Sequence, residues 1–183
     1  MIDFKFIEAL EGNVYEGYVP NPKTSQSGVT IACGFDLGQR SAVELHHLFS
    51  KVLADKLSPY VGLKKQQACD ALKKLPLMIS RSENAEINAQ CKDEAELKLV
   101  TLWRNAQVNV EFSDLSSACQ TVIASVAFQY GNLAKRTPHF WRQVTSGDWQ
   151  GAVDNLRNFG DAYSSRRNKE ADLLMTWLQE QKS

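Results

Sequence analysis

The sequence predicts an α+β fold that is predominantly α, with a small β-hairpin or sheet near the N-terminus and helices elsewhere. Three observations predict it. Residues Val29, Ile31, Cys33, Phe35 and Leu37 alternate with Thr30, Ala32, Gly34 and Asp36, the period-two pattern of half-buried strand. Downstream, Ser/Asp-x-x-Glu capping boxes open segments of helical spacing. The segment Leu115 to Tyr130 is apolar on nearly every side, as expected of a helix buried in the middle of a domain.

The elements follow in order. Phe4, Ile7, Leu10 and Val14 recur every three to four residues and place a short helix at the start, with Gly12 as its stop. Residues 18–28 are rich in Pro, Ser, Gly and Asn, the chemistry of turns, and lead into the alternating run. Ser41-x-x-Glu44 opens a helix that Pro59 ends, and a second helix covers Lys64 to Leu75, before Pro76. Ser80-x-x-Glu83 and Asp93-x-x-Glu96 open a long helical stretch reaching about Val110. Pro138 suits the first turn of a short helix. Ser146 can cap the next, through Trp149 to about Asn158, with Gly160 following its end. A last helix covers about Ser165 to Gln179, with Leu173, Leu174, Trp177 and Leu178 as its apolar stripe.

Composition narrows the function classes. The 183 residues are 43% hydrophobic, ordinary for a soluble globular protein. The 21 basic and 21 acidic residues balance, so no overall field recruits nucleic acid or an anionic membrane. No stretch approaches the roughly 20 apolar residues of a membrane span, and the first residues do not read as a Sec-type signal. Cys33, Cys69, Cys91 and Cys119 form no CxxC pair, which speaks against zinc or dithiol chemistry; they read as buried free thiols, with a disulfide left open. His46 and His47 are adjacent on a predicted helix with no acidic or Cys partner at metal-ligand spacing, and no metal or cofactor site is expected. Trp103, Trp141, Trp149 and Trp177 sit at helical spacing among Leu and Val and read mainly as core. Arg166 and Arg167 open the last helix, where cations oppose the dipole; a buried carboxylate or a ligand cleft would rationalise them.

Glu11 falls at the C-terminal end of the first helix, where the negative end of the dipole and any shielding by Phe6, Tyr15 or Tyr18 favour the protonated form of an acid. On position alone Glu8 and Glu16 are equally eligible. Thr30 and Asp36 share one face of the alternating run, and the residues between them on that face, Ala32 and Gly34, are small. Six residues of extended strand span roughly 20 Å, so the chain must bend for both to serve one bond, and Gly34 is the expected place.

Glu11-Gly12, the turn-rich spacer and the run TIACGFDLG (Thr30 to Gly38) resemble the active-site hairpin of phage-type lysozymes. Within that group the chain is most similar to the pesticin-like muramidase domains of bacteriocins and type VI secretion effectors, which carry a TIGxGFDLG-like run. Ala32 stands where that family usually has Gly, a conservative change unless the backbone there needs a positive φ. Ala127-Phe128-Gln129-Tyr130-Gly131 resembles the end of the family's central helix. Gly147-Asp148-Trp149, Ala152 to Leu156 and Arg166 to Ala171 resemble its C-terminal helices.

The resemblance implies one lysozyme-like catalytic domain over 1–183, with a small β-containing lobe at about 12–40 and a helical lobe at about 41–183 plus the first helix. It implies that Glu11 is the general acid, Thr30 holds the attacking water, Asp36 is the second carboxylate and Gln129 contacts the glycan. Commoner phage enzymes place the aspartate before the threonine, where this chain has Asn21, Thr24, Ser25 and Gln26, so Asp36 takes its role by the pesticin analogy alone. The implied reaction is hydrolysis of the β-1,4 bond between N-acetylmuramic acid and N-acetylglucosamine in bacterial peptidoglycan, with no cofactor. Two alternatives stay open, a chitin-like substrate and a non-catalytic cell-wall-binding module. The implied setting is an antibacterial toxin or lysin made in the cytoplasm and acting in the periplasm or cell wall of a target bacterium after non-classical delivery. A periplasmic immunity protein is an implied partner.

Overall fold

The computed structural model describes residues 1–12 and 14–182, and the chain divides into two compact units, Glu11–Asp93 and Met1–Leu10 with Glu94–Ser183. The elements are α1 (Phe4–Leu10), β1 (Thr30–Ile31), β2 (Phe35–Asp36), α2 (Ala42–Leu48), α3 (Lys51–Leu57), α4 (Lys65–Lys74), α5 (Arg81–Asn105), α6 (Ser117–Tyr130), α7 (Leu133–Arg136), α8 (Pro138–Ser146), α9 (Trp149–Arg157) and α10 (Ser164–Glu180). The fold is predominantly α with one small antiparallel sheet.

The first unit packs the hairpin residues Val29, Ile31, Phe35 and Leu37 with Leu45, Leu53, Leu57, Tyr60 and Ile87 into one buried cluster. The unit that holds the hairpin covers Glu11–Asp93, where the resemblance implies a β-containing lobe at about 12–40. Two strands of two residues cannot bury a core by themselves, and α2 to α4 supply it.

The capping box at Ser41 forms as expected, Glu44 N–H donating to Ser41 Oγ and Ser41 N–H to the Glu44 carboxylate. The helix does not continue to Pro59. Phe49 leaves the helix in an extended conformation and turns inward to an edge-on contact with Phe35, ring centroids 5.4 Å apart, and α3 starts afresh at Lys51. Pro59 lies in a 3-10 turn, Ser58–Tyr60, beyond α3. The Ser80 box opens α5, but Asp93 lies inside that helix and starts nothing; α5 stops at Asn105, short of Val110.

In the second unit α6 is the central helix, with every residue from Cys119 to Ala127 buried. Thr121 and Ser125 are polar members of that run. Thr121 Oγ1 accepts from Asp3 N–H, which pins the start of the chain to α6, and Ser125 Oγ donates to Glu170. Pro138 occupies the first turn of α8 as the sequence predicts. Ser146 belongs to that helix and does not cap the next one; Gly147 ends α8 in a left-handed conformation, and Asp148 caps α9 by accepting from Gly151 N–H.

Arg166 and Arg167 both reach the buried carboxylate of Glu170, four and three residues along α10. Arg166 Nε lies 3.2 Å from Glu170 Oε1 and its Nη2 donates to Ser125 O at 2.8 Å, so the arginine also ties α10 to α6. Arg167 pairs with Glu170 Oε2 through Nη1 and with Asp161 Oδ2 through Nε, while Tyr130 OH donates to the same Asp161 oxygen at 2.6 Å. Burial, then the bond to Asp161, push the Tyr130 hydroxyl up to about 12. Trp103 and Trp141 are core residues in edge-on contact, and Trp149 packs on Trp177.

Candidate active site

The alternating run folds back on itself. In place of one bent strand it forms a hairpin in which Thr30 pairs with Asp36 and Ile31 with Phe35. Thr30 and Asp36 thereby become direct cross-strand partners on one face, with Cβ atoms about 4.5–5.5 Å apart for such a pair. The reversal uses Ala32 at φ 55° and Gly34 at φ 101°, and Gly34 N–H donates back to Ile31 O. Period-two alternation continues across the reversal because three turn residues keep the parity of inward positions on both arms, which is why the pattern reads as one strand.

Position 32 does need a positive φ, so Ala32 is not a neutral replacement for glycine there. Its left-handed backbone costs about 1–2 kcal/mol. Burying its methyl offsets about 0.8 kcal/mol of that. Gly34 has no such compensation: a Cβ there meets nothing within 4 Å, and φ 101° is hostile to any L side chain. Gly34→Ala is expected to lower unfolding free energy by about 1–3 kcal/mol through backbone strain alone, whereas Ala32→Gly should change it by no more than about 1 kcal/mol. Urea denaturation of the two variants checks the contrast.

Asp36 is held at its base. Its Oδ1 accepts from Gly28 N–H and Gly38 N–H, both at 2.9 Å, closing the hairpin and capping the 3-10 turn Leu37–Gln39. The two glycines are required by close approach. A Cβ on Gly28 would lie 2.2 Å from Leu63 O and 2.5 Å from Gly38 Cα, and one on Gly38 2.7 Å from Gly28 Cα. The flanking glycines of the GVTIACGFDLG run thus exist to let two backbones touch and present their N–H groups to one carboxylate oxygen.

Thr30 is buried, and its hydroxyl donates to Gly28 O at 3.2 Å, which leaves the oxygen as an acceptor. The segment before the hairpin completes the small β structure. Tyr18 and Thr30 exchange backbone hydrogen bonds, Ala32 N–H donates to Val14 O, and Gly17 and Ile79 bond Leu77 O and Tyr15 O on the other side. Tyr18 lies beside the site: burial first, then the neighbouring Cys33 and Asp36, raise its hydroxyl above the usual tyrosine value. The hairpin tip is held from α5, where Asn88 Oδ1 accepts from Cys33 N–H and Asn88 Nδ2 donates to Asn84 Oδ1.

Glu11 is half-buried and follows directly on the last residue of α1, as expected. It belongs to the same unit as the hairpin, three residues ahead of the Val14 carbonyl that meets the hairpin turn. Gln129 lies in the other unit, near the end of α6, with Oε1 buried and without a hydrogen-bond partner. The structure therefore brings Thr30 and Asp36 together as a pair. The Gly28–Gly38 contact and the Asn84–Asn88 brace escaped the sequence reading, since nothing in their spacing separates them from ordinary loop and helix residues, and Tyr18, expected as a shield for Glu11, stands beside Asp36.

The packing of α2 on α3 sets His46 Nε2 3.3 Å from Asp55 Oδ1, a carboxylate that also serves the Lys51 pair. Among the described residues no group of three or more His, Cys, Asp or Glu is placed to hold a metal. All four cysteines are free thiols, and burial pushes that of Cys119 up to about 11.

A small hairpin carrying a threonine–aspartate pair, in a mostly helical chain with a central buried helix, defines a lysozyme-like α+β protein. Family comparison agrees: residues 1–150 match the family described as "Pesticin: Bacterial toxin homologue of phage lysozyme, C-term". The match covers most of the chain, and the chain belongs to that family. Comparison with curated proteins returned no match. The matched residues include Glu11, Thr30, Asp36 and Gln129, while most of α9 and all of α10 lie beyond them.

Proposed function

We propose that the chain is a muramidase that hydrolyses the β-1,4 bond between N-acetylmuramic acid and N-acetylglucosamine in bacterial peptidoglycan, and that it acts as an antibacterial toxin. The observation that carries the reading is the Thr30–Asp36 cross-strand pair in a chain of the phage-lysozyme-homologous toxin family.

Glycoside hydrolysis needs one group to protonate the leaving oxygen and another to activate water or stabilise the oxocarbenium-like centre. Glu11, which follows directly on the end of α1, takes the first role and donates the proton. Water sits between Thr30 and Asp36. Because the Thr30 hydroxyl proton is committed to Gly28 O, its oxygen accepts one water hydrogen. With Asp36 Oδ1 occupied by two backbone N–H groups, Oδ2 accepts the other, which aims the water lone pair away from the hairpin. As the C1–O bond breaks, Glu11 delivers its proton to the departing 4-oxygen, Asp36 takes one from the water, and hydroxyl adds to C1. This single displacement inverts the anomeric centre, and it requires Glu11 and Asp36 to stand roughly 6.5–9.5 Å apart. Gln129 is a glycan contact in this scheme, and delivery to the target periplasm and an immunity protein belong to the toxin reading.

Two Asp36 variants test the pair. Asp36→Asn keeps an oxygen for both N–H donors and removes the base, so clearance of a purified peptidoglycan suspension should fall about 10- to 100-fold with the fold intact. Asp36→Ala loses the cap as well and should also be about 1–3 kcal/mol less stable. Full activity in Asp36→Asn removes this carboxylate from the chemistry. Faster cleavage of chitin oligomers than of peptidoglycan by the wild type contradicts the substrate assignment, and binding to peptidoglycan without cleavage contradicts the enzyme reading.

A further inference from the structure

Peptidoglycan differs from chitin in carrying a lactyl-linked stem peptide with free carboxylates, and a cation near the cleaved bond is one device that can tell the two apart. The loop Gly62–Lys65 is stitched to both arms of the hairpin. Gly62 N–H donates to Leu37 O, Lys65 N–H donates to Ser27 O, and Leu63 O is the atom against which the Gly28–Gly38 contact closes. Those two glycines are the donors that hold Asp36.

From this loop Lys64 extends its ammonium to Gln39 Oε1 at 3.4 Å, and Gln39 Nε2 donates in turn to Gln26 O. Gln39 ends the 3-10 turn that begins immediately after Asp36, a rise of about 6 Å. Lys64 and the adjacent Lys65 are both half-buried. Among the described residues neither is in an ion pair, whereas Lys51, Lys56 and Lys98 each have a carboxylate partner. A cation partly withdrawn from water, with only a neutral amide for a partner, is ready for an anionic ligand.

We propose that Lys64, oriented by Gln39, is a specificity-determining residue that binds a stem-peptide carboxylate of peptidoglycan while the glycan lies at the Thr30–Asp36 pair. The assignment rests on the muramidase reading and adds to it the origin of preference over neutral polymers. Because the ion pair forms at a partly open surface, it contributes to binding and not to the bond-breaking step, and salt weakens it.

The test compares initial rates on purified peptidoglycan with intact stems and on the same glycan stripped of stems by an amidase, which leaves the lactyl carboxylate on each sugar, so that the comparison isolates the stem carboxylates. Lys64→Gln should raise KM about two- to fivefold on the stem-bearing substrate with kcat retained, and should erase the wild-type difference in KM between the two substrates. Lys64→Arg should restore that difference, and raised salt should mimic Lys64→Gln. Lys51→Gln, which removes a solvent-facing lysine of the same unit, serves as the control. Equal effects of Lys64→Gln on both substrates, or none on either, overturn the assignment and leave the muramidase reading standing. A wild type that cleaves neither substrate overturns both.

Discussion

Glu11→Gln is expected to lower the rate of peptidoglycan clearance by about 10²–10⁴, the range for loss of a positioned general acid, with its urea midpoint within experimental error of the wild type. Gln matches Glu in shape and fits the end of α1, but its amide has no proton to give to the leaving sugar oxygen. The helix C-terminus also favours a neutral group, which lessens the cost of removing the charge. Paired measurement matters here. A fall in rate with a matching fall in stability would show only that the helix end was damaged. Retained lysis would pass the role to Glu16, the next acid along the same segment.

The second large effect is on stability and lies in the other unit. Glu170→Leu is expected to cost about 3–5 kcal/mol, because it takes the shared buried carboxylate away from two guanidinium groups that are 7% and 1% exposed. Replacing Arg166, Arg167 and Glu170 together by apolar residues of similar volume should cost less than the sum of the three single changes, since the desolvation of all three charges is removed at once while Asp161 keeps its bond from Tyr130. Chemical denaturation of the single and triple variants reads the difference. Arg166 ties α10 to the Ser125 carbonyl of α6, and Arg167 with Asp161 holds Tyr130, the neighbour of Gln129. The network thus fixes the helix that presents the proposed glycan contact.

Much of this architecture was legible because short-range chemistry writes it. The Ser41–Glu44 and Ser80–Glu83 boxes, Pro138 at its helix start and the all-round apolar 115–130 segment each depend on residues a few positions apart, and each stands where the pattern put it. Features set by tertiary packing were not legible. Phe49 breaks a helix because Phe35 draws it inward, and residues 42–93 join the hairpin's unit because two short strands need a helical floor. The interior position of Asp93 shows the same limit, since a capping motif says nothing about whether a helix is already under way.

For the site, the sequence put Thr30 and Asp36 on one face and required a bend between them, and the hairpin supplies a full reversal that makes them partners. The expected hinge at Gly34 is half of the answer, with Ala32 at positive φ the other half. What the spacing could not convey is why the run is bracketed by Gly28 and Gly38. Their need for glycine comes from Leu63 O, twenty-five or more residues downstream, and a contact of that range leaves no periodic trace.

The central claim is that Glu11, Thr30 and Asp36 cut the muramyl bond by direct attack of water. It is tested most directly by digesting purified peptidoglycan with the wild-type protein and identifying the new reducing end by mass spectrometry, while following the first-formed anomer by NMR. The account predicts N-acetylmuramic acid at the new reducing end, released with inverted configuration. N-acetylglucosamine at that end, or a retained anomer, would contradict it.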